Sequence, residues 1–445
     1  MSFLSLGKVR SAAMSTIQGS TYPIAIDFGV GSLKLLQLAP GDPPALVAAA
    51  SLDTPESLLA DHAKRFQFQF QALPRLLKGA GFKGKRAVCG IPAGQTFIKH
   101  MQFPRSENLP LAELVQVGVP AALNCDPDAL ILRHFPVEGA TAIGSAASAD
   151  QSTAGGVKQE VICMAAAREF VQRIVGAIRA AGLECVGIHP EAVATIKAFE
   201  HINRRAGDQH VSTLYLDLAA GTTKVWIAHG STLIFAKTIQ LGGRDLDAAV
   251  ARALDVDTAT ARQRRHAAAV LVAPAARPAS IPMSPPGVEP RTLAAMNADG
   301  SPAILSKSDP ATLTAEDRRQ GRIAPGLTPQ VSEQGAASVA PLEFDLGDTL
   351  DNLTDEISMC LRYYEAMFPG PPPRRVDRAI LFGGEARHRG LCQHIGRKLR
   401  LPAHVADPLA RMARAGAEPV RGVDFTTPQP GWTIPFGLCM CPTDL

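Results

Sequence analysis

Two stretches of this chain share one alternation of apolar and small residues. Residues 22–38, YPIAIDFGVGSLKLLQL, run as an apolar segment, a glycine-containing turn and a second apolar segment, which is the pattern of a β-hairpin. Residues 212–228, STLYLDLAAGTTKVWIA, repeat it. Each has an Asp at the end of its first strand, Asp27 and Asp217, and each is followed by a third apolar strand, at 45–51 and 232–240. A duplication spaced by roughly 190 residues predicts two pseudo-equivalent lobes. Further short strands are expected at 86–89, 96–103, 130–137, 160–166, 186–188, 378–384 and 403–406. Helical periodicity marks 60–80, 111–123 (broken near Pro120), 168–181 closed by Gly182, 191–201, 245–254 and 388–399. The longest helix is expected at 342–368, where Leu346, Leu350, Leu353, Ile357, Leu361 and Tyr364 recur at helical spacing, and the prolines after it stop it. Residues 432–441 close the chain, with Cys439 and Cys441 alternating on an expected last strand.

Two segments lack any such pattern. Residues 138–157 are small and polar and read as a long loop. Residues 267–341 hold eleven prolines and no Phe, Trp or Tyr, so they bury too little to offset the entropy of ordering and read as a disordered insertion. At the start, Phe3, Leu4, Leu6, Val9 and Ile17 would suit a short amphipathic helix over 2–17, although a frayed terminus is the simpler expectation.

Composition narrows the classes. In 445 residues the net charge is only +4 and aromatics are 5%, which argues against nucleic-acid binding. No apolar run approaches the ~20 residues of a membrane span, and no secretory signal precedes the first strand. The eight cysteines form no CxxC pair and the eleven histidines no HxxxH spacing, so a metal site built on them is not expected. Isolated thiols fit a reducing compartment.

The chemistry lies in three places. In Asp27-Phe28-Gly29-Val30-Gly31-Ser32-Leu33-Lys34, a glycine turn lets backbone N–H groups converge on an anion, Ser32 adds a hydroxyl, Lys34 adds a charge, and Asp27 is placed for a hydrated Mg²⁺. It is neither a Walker A loop nor a GxGxxG fingerprint. Asp217, then Gly221, Thr222, Thr223 and Lys224, recreate these elements; two such hairpins would clamp a phosphate chain, their carboxylates Asp27 and Asp217 sharing one metal through water. Third, Gly383 and Gly384 end a strand on a surface without side chains, where a base and sugar could approach the backbone. The cluster Arg262, Arg264, Arg265 and His266 reads as a solvated helix end.

In this order the three pieces resemble the actin, Hsp70 and sugar-kinase superfamily, as its two phosphate hairpins and adenosine motif. KRAVCGIPAGQTFIKHMQFP, LILRHFPV, EVICMAAAREFVQRIVGAIRAAGLECVGIHPEAVATIKAFE and TIQLGGRDLDAAVARALDVDTATA look like the PilM/FtsA family of actin-like proteins, over about residues 20–265 and 342–443. The resemblance implies an α/β, bilobed, actin-like (ribonuclease H-like) fold with an FtsA-type extra subdomain. It implies a flexible 1–20, a first lobe from 21–85 and 159–208, the subdomain at 86–158, a second lobe at 209–410 carrying the 267–341 insertion, and a return to the first lobe at 411–445. It further implies ATP and Mg²⁺ between the lobes and a cytoplasmic scaffold of a type IV pilus or related secretion machine. Such a scaffold sits under the inner membrane by docking the cytoplasmic N-terminal peptide of a PilN-like protein, with self-association possible. It is at most a slow ATPase, with Glu191 the candidate for positioning water. Three departures point to weakened nucleotide binding: Ala219 where the pattern has Gly, Arg262 where it has Glu, and His189 where an acid is common. The alternatives are a degenerate actin-fold scaffold without nucleotide, and a small-molecule kinase, for which no catalytic Asp is evident between residues 90 and 160.

Overall fold

The computed structural model describes residues 21–105, 108–140, 158–268, 271–272, 343–369 and 374–443. The expected 2–17 helix, nearly all of the 138–157 loop and of the 267–341 insertion, and most of the proline run after Phe368 lie outside them.

The strands in chain order are β1 Ile24–Phe28, β2 Ser32–Ala39, β3 Ala45–Asp53, β4 Arg86–Ile91, β5 Phe97–Pro104, β6 Leu130–Val137, β7 Lys158–Ala167, β8 Glu184–Pro190, β9 Ser212–Leu218, β10 Thr223–His229, β11 Thr232–Ile239, β12 Arg378–Phe382, β13 Ala403–Val405 and β14 Val420–Arg421. The helices are α1 His62–Leu77, α2 Leu111–Leu123, α3 Arg168–Ala180, α4 Glu191–Ala198, α5 Gly243–Leu254, α6 Thr258–Ala267, α7 Gly347–Met367, α8 Arg389–Leu399 and α9 Thr433–Cys439.

The duplication read in the sequence appears as two sheets of one plan. The first has the order β14-β3-β2-β1-β4-β8 and the second β11-β10-β9-β12-β13. In each, an antiparallel hairpin and third strand are extended by two parallel strands on the other side of the first strand. α1 and α3 cover one face of the first sheet. On α3 the stripe Phe170, Val171, Ile174 and Ile178 is buried against Phe66 and the strands, and Gly182, at φ +80°, ends it. Each fully buried aromatic or branched side chain here contributes about 1.5–3 kcal/mol of transfer free energy. On the other face, α9 lies on β1, β2, β4 and α4.

A three-stranded sheet, β5-β7-β6, forms a separate layer with α2. Its membership shifts the expected subdomain limits. Residues 86–91 pair with β1 and β8, so they belong to the first-lobe sheet, while β7, expected at the start of the returning lobe, pairs with β5 and β6. Backbone pairing settles this, and apolar content in a short strand does not reveal its partner. At the end of the chain, Val420 and Arg421 pair with β3 in the first-lobe sheet.

Other local expectations change as well. α2 continues through Pro120, held by Val115 and Val119 in a cluster with Phe103 and Val161. The 191–201 helix is α4 followed by a 3₁₀ turn, Glu200–Asn203. The closing segment is a helix, not a strand: every residue of α9 is buried, so no polar face marks its period. Its Gly437 packs so closely on α4 that a Cβ would come within 1.8 Å of the Ala194 carbonyl oxygen. Cys439 and Cys441 are buried, as packing predicts, and all eight cysteines are free. Burial pushes the Cys163 and Cys392 thiols up to about 12, so they stay protonated and inert. Among the described residues, no helix is long and apolar enough to cross a membrane.

Candidate functional site: a cleft between two glycine hairpins

The β1–β2 hairpin sets Asp27 directly across from Lys34. Its turn is held from outside. Gln69 of α1, fully buried, donates from Nε2 to the Gly29 carbonyl at 2.7 Å, and the Thr54 N–H donates to the Gly31 carbonyl at 2.9 Å. Gly31 is open to space where a Cβ would stand, while one on Gly29 would come within 3.0 Å of the Ser32 carbonyl oxygen. Burial raises the Asp27 pKa, with Lys34 and Lys224 opposing that rise. Burial also lowers Lys34, with Asp27 opposing.

The β9–β10 hairpin sets Asp217 across from Lys224 in the same relation. Here the pair closes: Lys224 Nζ donates to Asp217 Oδ2 at 2.7 Å and lies 2.6 Å from Glu191 Oε2 at the start of α4. All three side chains are buried. Burial works against the Lys224 charge, but the two carboxylates outweigh it and its pKa is raised. Burial pushes Glu191 up to about 7, with Lys224 pulling the other way. The hairpin turn is braced by α5, whose Gly243 and Arg244 N–H groups donate to the Ala219 and Ala220 carbonyls at 3.0 and 2.7 Å. Gly242 is required there, since a Cβ would sit 2.5 Å from the Thr222 nitrogen.

β12 delivers the third element. Phe382 pairs with Asp217, and Gly383 follows at φ +93°, where a Cβ would lie 2.3 Å from Asp217 Oδ1. Below it, Arg265 of α6 is fully buried, with Nε 2.7 Å from Asp247 Oδ1 and Nη1 2.7 Å from Glu385 Oε2. Arg262 binds Asp247 at 2.8 Å and also Glu56 of the other sheet's side of the cleft. The solvated-helix-end reading therefore holds for exposed Arg264 and His266 and fails for Arg262 and Arg265, which are tied to acids that the tertiary fold brings up.

These elements line one cleft of about 1130 Å³. Asp27, Gly29, Gly31, Ser32, Lys34, Glu191, Asp217, Gly221, Thr222, Gly383 and Gly384 all lie on it. Thr223 does not. Side chains alternate along β10, so with Lys224 on the cleft Thr223 is buried on the opposite face. The structure adds Lys237, Arg244 and Arg387, which the sequence reading passed over. The face on which Lys237 lies depends on the register of β11, and the placing of Arg244 on the docking of α5; neither is written in local pattern. Of the departures, Ala219 lines the cleft, while buried His189 meets the Pro442 carbonyl at 2.8 Å.

The cleft combines bare glycine surfaces with cationic side chains. Gly31, Gly221 and Gly384 leave open space where side chains would stand. Lys34, Lys237, Arg244 and Arg387 line it without an ion pair among the described residues. The expected sharing of one hydrated cation by Asp27 and Asp217 meets an obstacle, because Lys224 already holds Asp217. Among the described residues, no cluster of three or more His, Cys, Asp or Glu is placed to hold a metal ion.

No protein-family model matches the chain, nor does any curated protein. Solved structures do. A PilM–PilN type IV pilus biogenesis complex matches 94% of this chain and 98% of its own at 19% identity, with a TM-score of 0.61. The ethanolamine utilization protein EutJ from Carboxydothermus hydrogenoformans matches 96% of this chain and 91% of its own at 12% identity and a TM-score of 0.42. MreB5 of Spiroplasma citri bound to ADP matches 95% and 96% at 10% identity and a TM-score of 0.41. The chain has the actin-like fold that the order of its motifs led one to expect.

Proposed function

We propose that this protein is an actin-fold scaffold of a type IV pilus or related secretion machine, which holds a nucleoside phosphate between its lobes and docks a PilN-like membrane protein. The observation that carries the nucleotide half is the cleft itself: both glycine hairpins and the Gly383–Gly384 pair open onto it, beside Lys34, Lys237, Arg244 and Arg387, which make no ion pair among the described residues. Nucleotide bound there would bridge elements of both sheets and so favour one lobe closure over another. What supports the partner half is the likeness to a PilM–PilN complex over 94% of the chain. In this reading the three-stranded layer and the first lobe receive an extended cytoplasmic N-terminal peptide, and the protein is held at the inner membrane only through that partner.

The reading is of a binder, with turnover slow at most. Glu191, the one candidate for positioning a water, is held by Lys224 at 2.6 Å. Calorimetric titration of the purified chain with ATP and ADP tests the proposal, with Lys34→Ala, which removes a cleft cation, as the control. The expected result is saturable binding that the variant weakens by about tenfold or more, some 1.4 kcal/mol. Binding unchanged in the variant would place the ligand elsewhere. No binding by wild type would leave an actin-fold scaffold kept for its peptide partner alone.

A further inference from the structure

Lys224 has a position that the general chemistry of the cleft does not require. It stands opposite Asp217 on the second hairpin, as Lys34 stands opposite Asp27 on the first, yet the two behave differently. Lys34 makes no ion pair of 4 Å or less with a described acid, whereas Lys224 spans Asp217 and Glu191 at 2.7 and 2.6 Å. Its side chain is only 8% exposed, so it has little room to swing away.

Mg²⁺ beside a nucleotide is held by phosphate oxygens, by water and by one or two carboxylates, and each carboxylate already neutralised by a protein cation weakens that hold. Without the Lys224 charge, Asp27, Asp217 and Glu191 would be three neighbouring carboxylates with no ion-pair partner among the described residues, a local field that attracts such a cation. With Lys224 in place, one compact charge with three N–H donors satisfies two of the three. A second cation arriving beside it would meet both repulsion and a shortage of ligands.

We propose that the Lys224 ammonium takes the place of the divalent cation in this cleft, so that nucleoside di- and triphosphates bind here without a metal. This rests on the nucleotide reading above. The phosphate charge is then met by protein cations: Lys34, Lys237, Arg244 and Arg387 all line the cleft without an acid partner among the described residues. The ligand serves as a conformational effector.

The test is calorimetric titration of the full chain with ADP and ATP, once in excess Mg²⁺ and once in excess chelator. Wild type is expected to bind in both, with dissociation constants that differ by less than about fivefold. A chelator-induced loss greater than that overturns the inference and leaves the nucleotide reading standing; absence of binding in both media overturns the two together. Lys224→Asn, checked for folding by circular dichroism, is expected to acquire the missing dependence, its affinity in chelator falling about tenfold below that in Mg²⁺. If this variant folds and still ignores Mg²⁺, the assignment to Lys224 is wrong; if it does not fold, the wild-type comparison decides alone.

Discussion

Replacing Arg265 by Met separates tertiary electrostatics from local sequence effects. The guanidinium is fully buried and bridges Asp247 and Glu385, each at 2.7 Å. With charge centres about 4 Å apart and an effective dielectric near 20, each pair gains about 4 kcal/mol of Coulomb energy, most of it offset by desolvating the ions. The net worth of the triad is therefore small, but truncating one member strands the others, at a cost of about 3–5 kcal/mol. Arg262 still reaches Asp247 at 2.8 Å, so Glu385 is the true orphan and we predict a loss at the lower end, about 3 kcal/mol. Urea denaturation followed by tryptophan fluorescence reads it, since Trp226 is buried in the same core cluster as the second sheet. Arg264→Ala, which breaks only an exposed pair with Glu343, should cost less than about 0.5 kcal/mol. Adding Glu385→Gln should recover part of the loss. A deficit below about 1 kcal/mol would refute the claim that this triad is a buried, coupled unit.

Two further predictions follow from single positions. Gly383→Ala meets both a φ of +93° and an Asp217 oxygen 2.3 Å from the new Cβ, so we predict a loss of about 2 kcal/mol or more in urea denaturation, and a tolerated alanine would show that this turn is not as drawn. Burial holds the His229 pKa down at about 4, where its ring meets the Tyr364 hydroxyl at 2.7 Å. The unfolded chain therefore binds the proton first, and stability should fall as pH drops from about 6.5 toward 4. His229→Gln should flatten that slope, and an unchanged slope in the variant would assign it to other groups.

Much of this protein was legible along its chain. The two hairpins, their Asp residues and their spacing are local patterns, because a period-two apolar strand around a glycine turn has one low-energy pairing, and repeating it announces a repeated sheet. Eleven of the twelve residues marked for the site line one cleft for the same reason, as each belongs to a turn or strand end whose geometry is set by its neighbours. Thr223 lies off the cleft because side chains alternate along a strand and its neighbour Lys224 takes the cleft face.

What only the tertiary structure decided has a different physical origin. α9 is buried on every side, and a uniformly apolar helix has no period to read. Arg265 looked like a surface residue among basic neighbours; its burial depends on Asp247 and Glu385, which lie 18 positions before it and 120 after it. Lys224 read as one more cation for a phosphate, until Glu191 arrived from another element to complete its cage. Charges are partnered across the fold, by long-range packing that brings distant carboxylates within hydrogen-bond reach, and the chain order of residues does not encode which charge meets which.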